Sequence, residues 1–280
     1  MRISRAAAAL MLVGPVAFFA LFFAGPLALL VVESFVDKSG TATPANYTAV
    51  LWDGYYWRAL GNTFVISLYV TVFSLVAGYP LAYYLVFYVK SRWLKRSIYI
   101  LLVTPLFTSN IVRAFGWIVI LGRRGFVNTT LQSAGVIDAP LDLLYNKSSI
   151  VIGLGYILLP VMVLTICSIL QNVETSLIDA ARDLGARPSV AFVTVTFPLS
   201  LPGVLAGSII VFALSVSAYV IPSILSGGRE TMMSMLIFQQ YAATFRPDIG
   251  ATLSIVLLVV TLLLIGISLV LFDTRARVTT

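Results

Sequence analysis

Side chains that usually carry acid–base, nucleophilic or metal chemistry are scarce in this sequence. It contains no histidine, and its single cysteine, Cys167, lies within an apolar run. Histidine is the commonest general base and a frequent metal ligand, and one cysteine cannot build a disulfide framework. Clustered acidic ligands and a serine paired with a base are also missing from the sequence pattern. We therefore predict no catalytic residue and no metal site in this chain.

Three residues in apolar surroundings are candidates for contact with a solute. Arg113 is a charged residue inside the run Ile98–Leu121, where an ionisable group is costly and often functional. The alternative is a structural arginine that bonds backbone carbonyls or extends toward the interface. Tyr83 and Tyr219 could stack on a cation, although helix packing and interfacial placement explain most such tyrosines.

One polar stretch, Gln171–Pro202, lies between two apolar runs and has the pattern of a helix, a tight turn and a second helix. Ser176 and Asp179 have the spacing of a capping box at the first helix start. Gly185 stands where that helix would end, and Pro188 prevents its simple continuation. We expect an apolar face on the first helix, and we expect the prolines to interrupt the second. That face is formed by Leu177, Ile178, Ala181 and Leu184, and the interrupting prolines are Pro198 and Pro202.

The elements around this stretch are membrane spans. Hydrophobic residues make up 60% of the 280 residues, charged residues 10%, and the mean hydropathy is +1.01. Soluble proteins carry about a quarter charged residues, so this composition indicates an all-α integral membrane protein. Six runs are long enough for a span of about 20 residues. They are Ala6–Val32, Asn62–Val89, Ile98–Leu121, Ile150–Val173, Gly203–Leu225 and Ala251–Phe272. A cleaved signal peptide is the alternative for the first run, which is longer than the usual apolar core.

Basic residues set the predicted orientation. The net charge of +7 would suggest nucleic acid in a soluble protein, but here we attribute it to topology and predict no nucleic-acid partner. With the N-terminus inside, basic residues concentrate in the short cytoplasmic segments and acidic residues lean outward. Both termini and the Gln171–Pro202 stretch are then cytoplasmic. The cytoplasmic basic residues are Arg2, Arg5, Lys90, Arg92, Lys95, Arg96, Arg182, Arg187, Arg275 and Arg277.

The hairpin also carries a recognisable motif. Read from Asp179, the pattern D-A-A-x3-G-x9-V-x-F-P resembles the E-A-A-x3-G-x9-I-x-L-P loop of ABC importer permeases. Asp179, Val195 and Phe197 depart from that pattern, whereas Ala180, Ala181, Gly185 and Pro198 match it. Further stretches resemble the spermidine/putrescine-type branch of this family. These are residues 78–83, 104–122, 198–212 and 227–241.

This resemblance implies a MetI-like fold of six transmembrane helices in the bacterial inner membrane. It divides the chain into a first helix and outer loop (1–61), a permease domain (62–272) with the coupling loop 171–202, and a cytoplasmic tail (273–280). In the family this loop docks on the ATPase, which assigns coupling here to Asp179, Ala180, Ala181, Asp183, Gly185 and Pro198. It also implies a second permease subunit, of a different chain, and a periplasmic solute-binding protein.

The chain lacks the phosphate-binding pattern G-x-x-x-x-G-K-[ST], so ATP and Mg²⁺ are expected on a partner ATPase dimer. The resemblance implies a polyamine as solute. The apolar runs, however, contain no carboxylate that could neutralise a polyamine, apart from Glu33 at the end of the first run. This lack of carboxylates suits a carboxylate-bearing, amino-acid-like or opine-like solute equally well. An ion-coupled carrier should show a mid-span carboxylate or paired broken helices, and no mid-span carboxylate is seen; the absence of a clear internal repeat also counts against such a carrier. The alternative for the hairpin is an amphipathic turn lying on lipid.

Overall fold

The computed structural model describes residues 5–276, with side chains for residues 12–271, and these residues are almost entirely helical. One isolated antiparallel bridge joins Val36 and Ala42. The helices are α1 Arg5–Phe19, α2 Gly25–Ser34, α3 Ala45–Leu51, α4 Gly54–Phe87, α5 Arg92–Val103, α6 Asn110–Leu121, α7 Phe126–Ser133, α8 Lys147–Leu170, α9 Thr175–Asp183, α10 Pro188–Ala191, α11 Phe197–Ser217, α12 Val220–Leu225, α13 Met233–Ala242 and α14 Pro247–Ala276.

Helices long and apolar enough to cross a membrane confirm the predicted all-α membrane architecture. In the described part of the chain, 5 continuous helices qualify, and a bent pair makes a sixth span if it counts as one. The continuous ones are Leu12–Ser34, Gly54–Phe87, Lys147–Leu170, Pro188–Ser217 and Pro247–Leu271. The first apolar run is thus helical along its described length, passing from α1 to α2 through a π-helical turn, Ala20–Ala24.

The third span is not the single straight helix that the sequence predicted. Helix α5 ends in a 3-10 turn, Thr104–Phe107, and the segments on either side of the break meet at 103°. Pro105 lacks an N–H for the helical ladder. Thr108 and Ser109 then have extended ψ angles of 146° and 135°, so the chain restarts as α6.

The fifth span was also placed wrongly. The prediction was Gly203–Leu225, whereas the structure has a continuous helix from Pro188 to Ser217. Ala218, with φ −66° and ψ 130°, ends it, and Val220–Leu225 forms the separate helix α12. The second span begins at Gly54 rather than Asn62, and the fourth and sixth agree within a few residues. Residues 277–280 of the predicted tail, and Arg2, lie outside the described residues.

Residues 5–60 and 233–276 form one compact unit. In it, helix α14 packs against α2, α3 and α13. The buried Asn46 side chain donates to the carbonyls of Ser34 (3.1 Å) and Val36 (2.9 Å), which ties α3 to the end of α2. Thr252 Oγ1 of α14 donates to the same Ser34 carbonyl at 3.1 Å. The segment after α2 is therefore ordered by buried hydrogen bonds.

Residues 61–232 form the other unit, whose centre is the α8–α11 pair. Gly203 and Gly207 of α11 face α8 at close range. A Cβ on Gly203 would lie 2.8 Å from Ile169 Cγ1, and one on Gly207 would lie 2.9 Å from Met162 Sδ. Small residues let helix backbones approach in this way, so the Gly203-x3-Gly207 spacing is used for packing.

Candidate functional site

The polar hairpin predicted between the fourth and fifth spans is present. Its first arm is α9, Thr175–Asp183, preceded by Glu174 with extended backbone (φ −66°, ψ 123°) as the N-cap. The predicted capping box of Ser176 and Asp179 is wrong. Because the helix already begins at Thr175, Ser176 is inside it, and its hydroxyl donates to Glu174 Oε2 at 3.3 Å. Glu174 itself makes no side-chain capping bond.

Gly185 ends α9 as predicted. Its φ of +85° is the left-handed conformation that a residue with a Cβ adopts at a cost. The Gly185 N–H donates to the Arg182 carbonyl at 2.9 Å, and the Ala186 N–H donates to the Ala181 carbonyl at 3.0 Å. This pair of bonds is a Schellman motif, which satisfies carbonyls at the end of the helix.

Fewer apolar side chains of α9 face the protein than the sequence predicted. Ile178 is buried, Ala181 is half-buried, and Leu177 is exposed. Leu184, expected on the inward face, is 90% exposed, because the helix ends at Asp183 and Leu184 belongs to the turn. The outward surface combines Leu184 with the exposed Asp179, Ala180 and Asp183. Asp179 Oδ1 lies 3.9 Å from Arg182 Nη1, a solvent-exposed pair that contributes little stability.

The second arm continues into the fifth span without a break. Helix α10 passes through a π-helical turn, Phe192–Thr196, into α11, where the Phe197 N–H donates to the Phe192 carbonyl. The predicted interruptions at Pro198 and Pro202 are therefore wrong. Proline has no N–H to donate, and the wider π turn immediately before Pro198 accommodates the missing bond. The hairpin is thus joined to α11 by continuous helix.

An aromatic cluster fixes this second arm against α4. The Phe192 ring meets Tyr79 edge-on at 5.8 Å and Tyr83 at 5.2 Å between centroids. The Tyr79 hydroxyl lies 2.8 Å from Ser200 Oγ, and Ser200 Oγ donates to the Phe197 carbonyl at 2.8 Å. Because the serine has one hydroxyl hydrogen, Tyr79 is the donor to Ser200. The pair is buried and joins α4 to α11 directly.

Arg113 lies in the first turn of α6 and folds back on its own helix. Its Nη2 donates to Asn110 Oδ1 at 2.5 Å, and its Nε donates to the Ser109 carbonyl at 3.4 Å. Nη1 is buried and has no hydrogen-bond partner within the described part of the chain. One turn further along α6, the Trp117 ring meets Tyr156 of α8 edge-on at 5.7 Å. The guanidinium therefore keeps one donor nitrogen that the protein does not use.

The other two candidate pathway residues are placed differently. Tyr219 is the half-buried residue before α12, a helix that packs on α6 and α8. Gly153 of α8 permits that contact, since a Cβ there would lie 2.6 Å from Leu225 Cδ1. Tyr219 thus lies at the start of a helix that packs on α6, the helix of Arg113. Tyr83 instead lies in the aromatic cluster beside the hairpin, with Phe87 and Tyr88 as further ring neighbours.

Comparisons with known proteins identify the family of this chain. The sequence profile of the family described as "Binding-protein-dependent transport system inner membrane component" matches residues 71–278. The chain belongs to this family. The permease is 30% identical over 256 residues to the spermidine/putrescine transport system permease protein PotB of Escherichia coli K12, covering 89% of this chain and 92% of that relative. It is 31% identical to the inner membrane ABC transporter permease protein YdcU of Escherichia coli K12, covering 86% and 82%.

The fold of the permease is also found in a solved structure. A chain in the crystal structure of a bacterial alginate ABC transporter, in complex with its alginate pentasaccharide-bound periplasmic protein, superposes with a TM-score of 0.75. The two chains are 17% identical, and the match covers 93% of the permease and 92% of the other chain. The predicted family and MetI-like permease fold are confirmed. The chain is a multi-pass inner-membrane permease subunit of an ABC importer.

Three features of the permease site were missed from the sequence. The exposure of Leu184 depends on where the helix ends, the Tyr79–Ser200 bond joins residues 121 positions apart, and the π turn follows from helix register. The sequence signal that could have identified Tyr79 is its position in the stretch 78–83, which resembles the family. The described residues hold no group of three or more His, Cys, Asp or Glu able to bind a metal ion.

Proposed function

We propose that the permease forms one half of the translocation path of an ATP-driven importer, and that α9 transmits the ATPase cycle to the fifth span. ATP and Mg²⁺ bind to a separate cytoplasmic ATPase dimer. A second permease subunit, encoded as a different chain, completes the path, and a periplasmic solute-binding protein delivers the solute. Coupling is carried by Asp179, Ala180, Ala181, Asp183 and Gly185, with Pro198 at the entry to α11.

The shape of the hairpin tip is the observation that carries this proposal. Leu184 is 90% exposed at the end of a short helix, next to small Ala180 and the carboxylates of Asp179 and Asp183. Leu177, seven residues earlier and so on the same side of α9, is exposed as well, and exposed apolar side chains grouped and rimmed by polar groups support a protein interaction surface. Behind the tip, continuous helix and the Phe192 cluster connect it to α11 and α4. A force applied to the tip therefore reaches two helices of the permease domain, 62–272.

The coupling role requires a cytoplasmic hairpin, and the distribution of basic residues indicates the same orientation. We place both termini and the hairpin in the cytoplasm, where the ATPase would be. Arg182 and Arg187 lie within the hairpin, on either side of its Gly185 turn, and the preceding loop on the same side contains Lys90, Arg92, Lys95 and Arg96. Enrichment of lysine and arginine in short cytoplasmic loops supports this assignment.

The solute is proposed to be a polyamine such as spermidine or putrescine. This rests on the 30% identity to PotB, whose name states that transport, over 89% of this chain. Tyr83 and Tyr219 would offer aromatic faces to a cation along the path. The Arg113 guanidinium would repel such a cation, so with this solute Arg113 keeps the structural role given by its bonds to Asn110 and the Ser109 carbonyl.

A second candidate is a carboxylate-bearing, amino-acid-like solute. The observation that favours it is the same Arg113 Nη1, because guanidinium groups pair with carboxylates and would repel a polycation. In the described spans the acidic residues are Glu33 and Asp248, both close to a span end. Uptake of labelled spermidine, competed by unlabelled polyamines or by unlabelled amino acids, decides between the two solute classes.

The coupling proposal is tested by Gly185→Val, compared with Gly135→Val. Gly135 has φ +69° and ends α7 with the same pair of bonds, from Gly135 N–H to the Gln132 carbonyl and from Val136 N–H to the Leu131 carbonyl. Neither glycine has a neighbour within 4 Å of an added Cβ, so both changes cost only backbone strain, about 1–2 kcal/mol. We expect both variants to insert in the membrane. Gly185→Val should abolish uptake and the response of the ATPase to loaded binding protein, and Gly135→Val should preserve both.

Reconstituted uptake and ATPase assays on the same preparations provide the measurement. Asp179→Ala should weaken coupling less, because Asp183 supplies a second carboxylate on the exposed surface. Normal transport by Gly185→Val would remove the hairpin from the coupling role. Equal loss in both glycine variants would point to a general folding defect.

A further inference from the structure

The amphipathic helix α5 has almost no protein around it. None of its residues is buried, and it makes few contacts beyond the following 3-10 turn. Tyr99 links it to the end of α8, since its hydroxyl accepts a hydrogen bond from Gln171 Nε2 at 3.2 Å and is also hydrogen-bonded to the Cys167 thiol. Four large side chains point away from the protein: Trp93 is 80% exposed, Leu101 75%, Ile100 60% and Leu94 51%. Its outer surface therefore lies against lipid or a partner.

The beginning of α5 carries a concentration of positive charge. Lys90, Arg92, Lys95 and Arg96 fall within seven residues, and no carboxylate in the described part of the chain lies within ion-pair distance of them. Arg92 is three and four residues from Lys95 and Arg96, so these side chains are neighbours and repel each other. They also lie at the positive end of the helix dipole, which disfavours cations. Such an arrangement favours the binding of an external anion.

We propose that this basic cluster, Lys90, Arg92, Lys95 and Arg96, is a binding site for the phosphate headgroups of acidic phospholipids. Charge complementarity supports this occupant, because basic clusters next to a membrane span attract anionic lipid. Trp93 is the side-chain type enriched at the membrane interface. The twelve residues of α5 are about 18 Å long, so the apolar remainder of the helix reaches from the headgroups into the hydrocarbon. The 103° break after α5 lets it take this position independently of the direction of α6.

The site is tested by spin-label measurements on the full-length permease, purified with its co-purifying subunits and reconstituted in phosphatidylcholine vesicles. Traces of spin-labelled phosphatidylglycerol or spin-labelled phosphatidylcholine report how strongly each lipid is immobilised at the protein surface. We expect wild type to select phosphatidylglycerol. The double variant Lys95→Gln/Arg96→Gln should lose selectivity by about fivefold for each charge removed at the site, and high salt should weaken it in wild type.

Two controls keep the result interpretable. Arg58→Gln/Arg124→Gln removes the same net charge from exposed positions elsewhere and should retain the wild-type selectivity. The exchange Lys95→Arg/Arg96→Lys keeps both charges and should also retain the wild-type lipid selectivity. This variant therefore distinguishes the loss of charge from a folding defect caused by substitution at these positions. Equal immobilisation of the two lipids by wild type would overturn the proposal. So would a Lys95→Gln/Arg96→Gln variant that keeps its lipid selectivity but loses the co-purifying ATPase, since the cluster would then bind protein.

Discussion

At the scale of single residues, the sequence left two interpretations of Arg113 open, a structural arginine and a residue that lines the solute path. Its bonds to Asn110 and the Ser109 carbonyl agree with a structural arginine, whereas the unpartnered Nη1 agrees with a residue on the path. The break between α5 and α6 places both bonding partners at a helix start. The sequence shows an uninterrupted apolar run at this place, so it could not predict a helix start there.

With the carboxylate-bearing solute of the second candidate, Arg113→Ala is expected to lower uptake by about tenfold while the assembled complex is recovered in normal yield, because a charge-assisted contact to the solute is lost. Arg113→Lys keeps the charge and should give an intermediate rate. Uptake is measured in proteoliposomes, and thermal stability is measured in detergent on the same samples. A loss of stability with normal uptake per complex would assign Arg113 a structural role only.

Among the elements, the contact between α4 and the second arm of the hairpin is where the proposed coupling would transmit movement to α4. Tyr79→Phe removes the donor to buried Ser200 and should cost about 1 kcal/mol of stability. Tyr47→Phe is a matched control, because the Tyr47 hydroxyl lies 2.8 Å from Ser34 Oγ in the other unit. We expect a similar loss of stability in both variants. The amount of solute transported per ATP hydrolysed should fall only in Tyr79→Phe. An equal amount per ATP in the two variants would contradict a role of the Tyr79–Ser200 bond in coupling.

The elements also show what local sequence could predict. Gly185 was identified because a glycine after a polar helix is a common helix end, and that signal involves only a few neighbouring residues. The N-cap was misplaced because serine is a preferred N-cap residue, whereas the helix here begins after the extended backbone of Glu174, whose side chain makes no capping bond. Pro198 was read as a helix break because the π turn that accommodates it has no local sequence signature. The contact of Phe192 with Tyr79 depends on tertiary packing, which one sequence does not display.

For the whole molecule, orientation in the membrane is the property that residue labelling can establish. In a Cys167→Ala background, single cysteines replace the exposed residues Leu184 and Asp142. A membrane-impermeant thiol reagent added outside intact spheroplasts should label Asp142→Cys, and it should label Leu184→Cys only after lysis. Lys90→Cys should behave like Leu184→Cys. Labelling of Asp142→Cys and Leu184→Cys from the same side would contradict the six-span topology.

Under the proposed coupling, the continuous helix that begins at Pro188 and ends at Ser217 would act as a lever. Its 30 residues are about 45 Å long at a rise of 1.5 Å per residue. Gly203 and Gly207, near its middle, lie closest to α8 and provide a natural pivot. A tilt of about 5° about that pivot displaces each end by roughly 2 Å in opposite directions, as simple geometry on that length requires. A small inward push at the hairpin would thereby become an outward swing at the far end of the same helix.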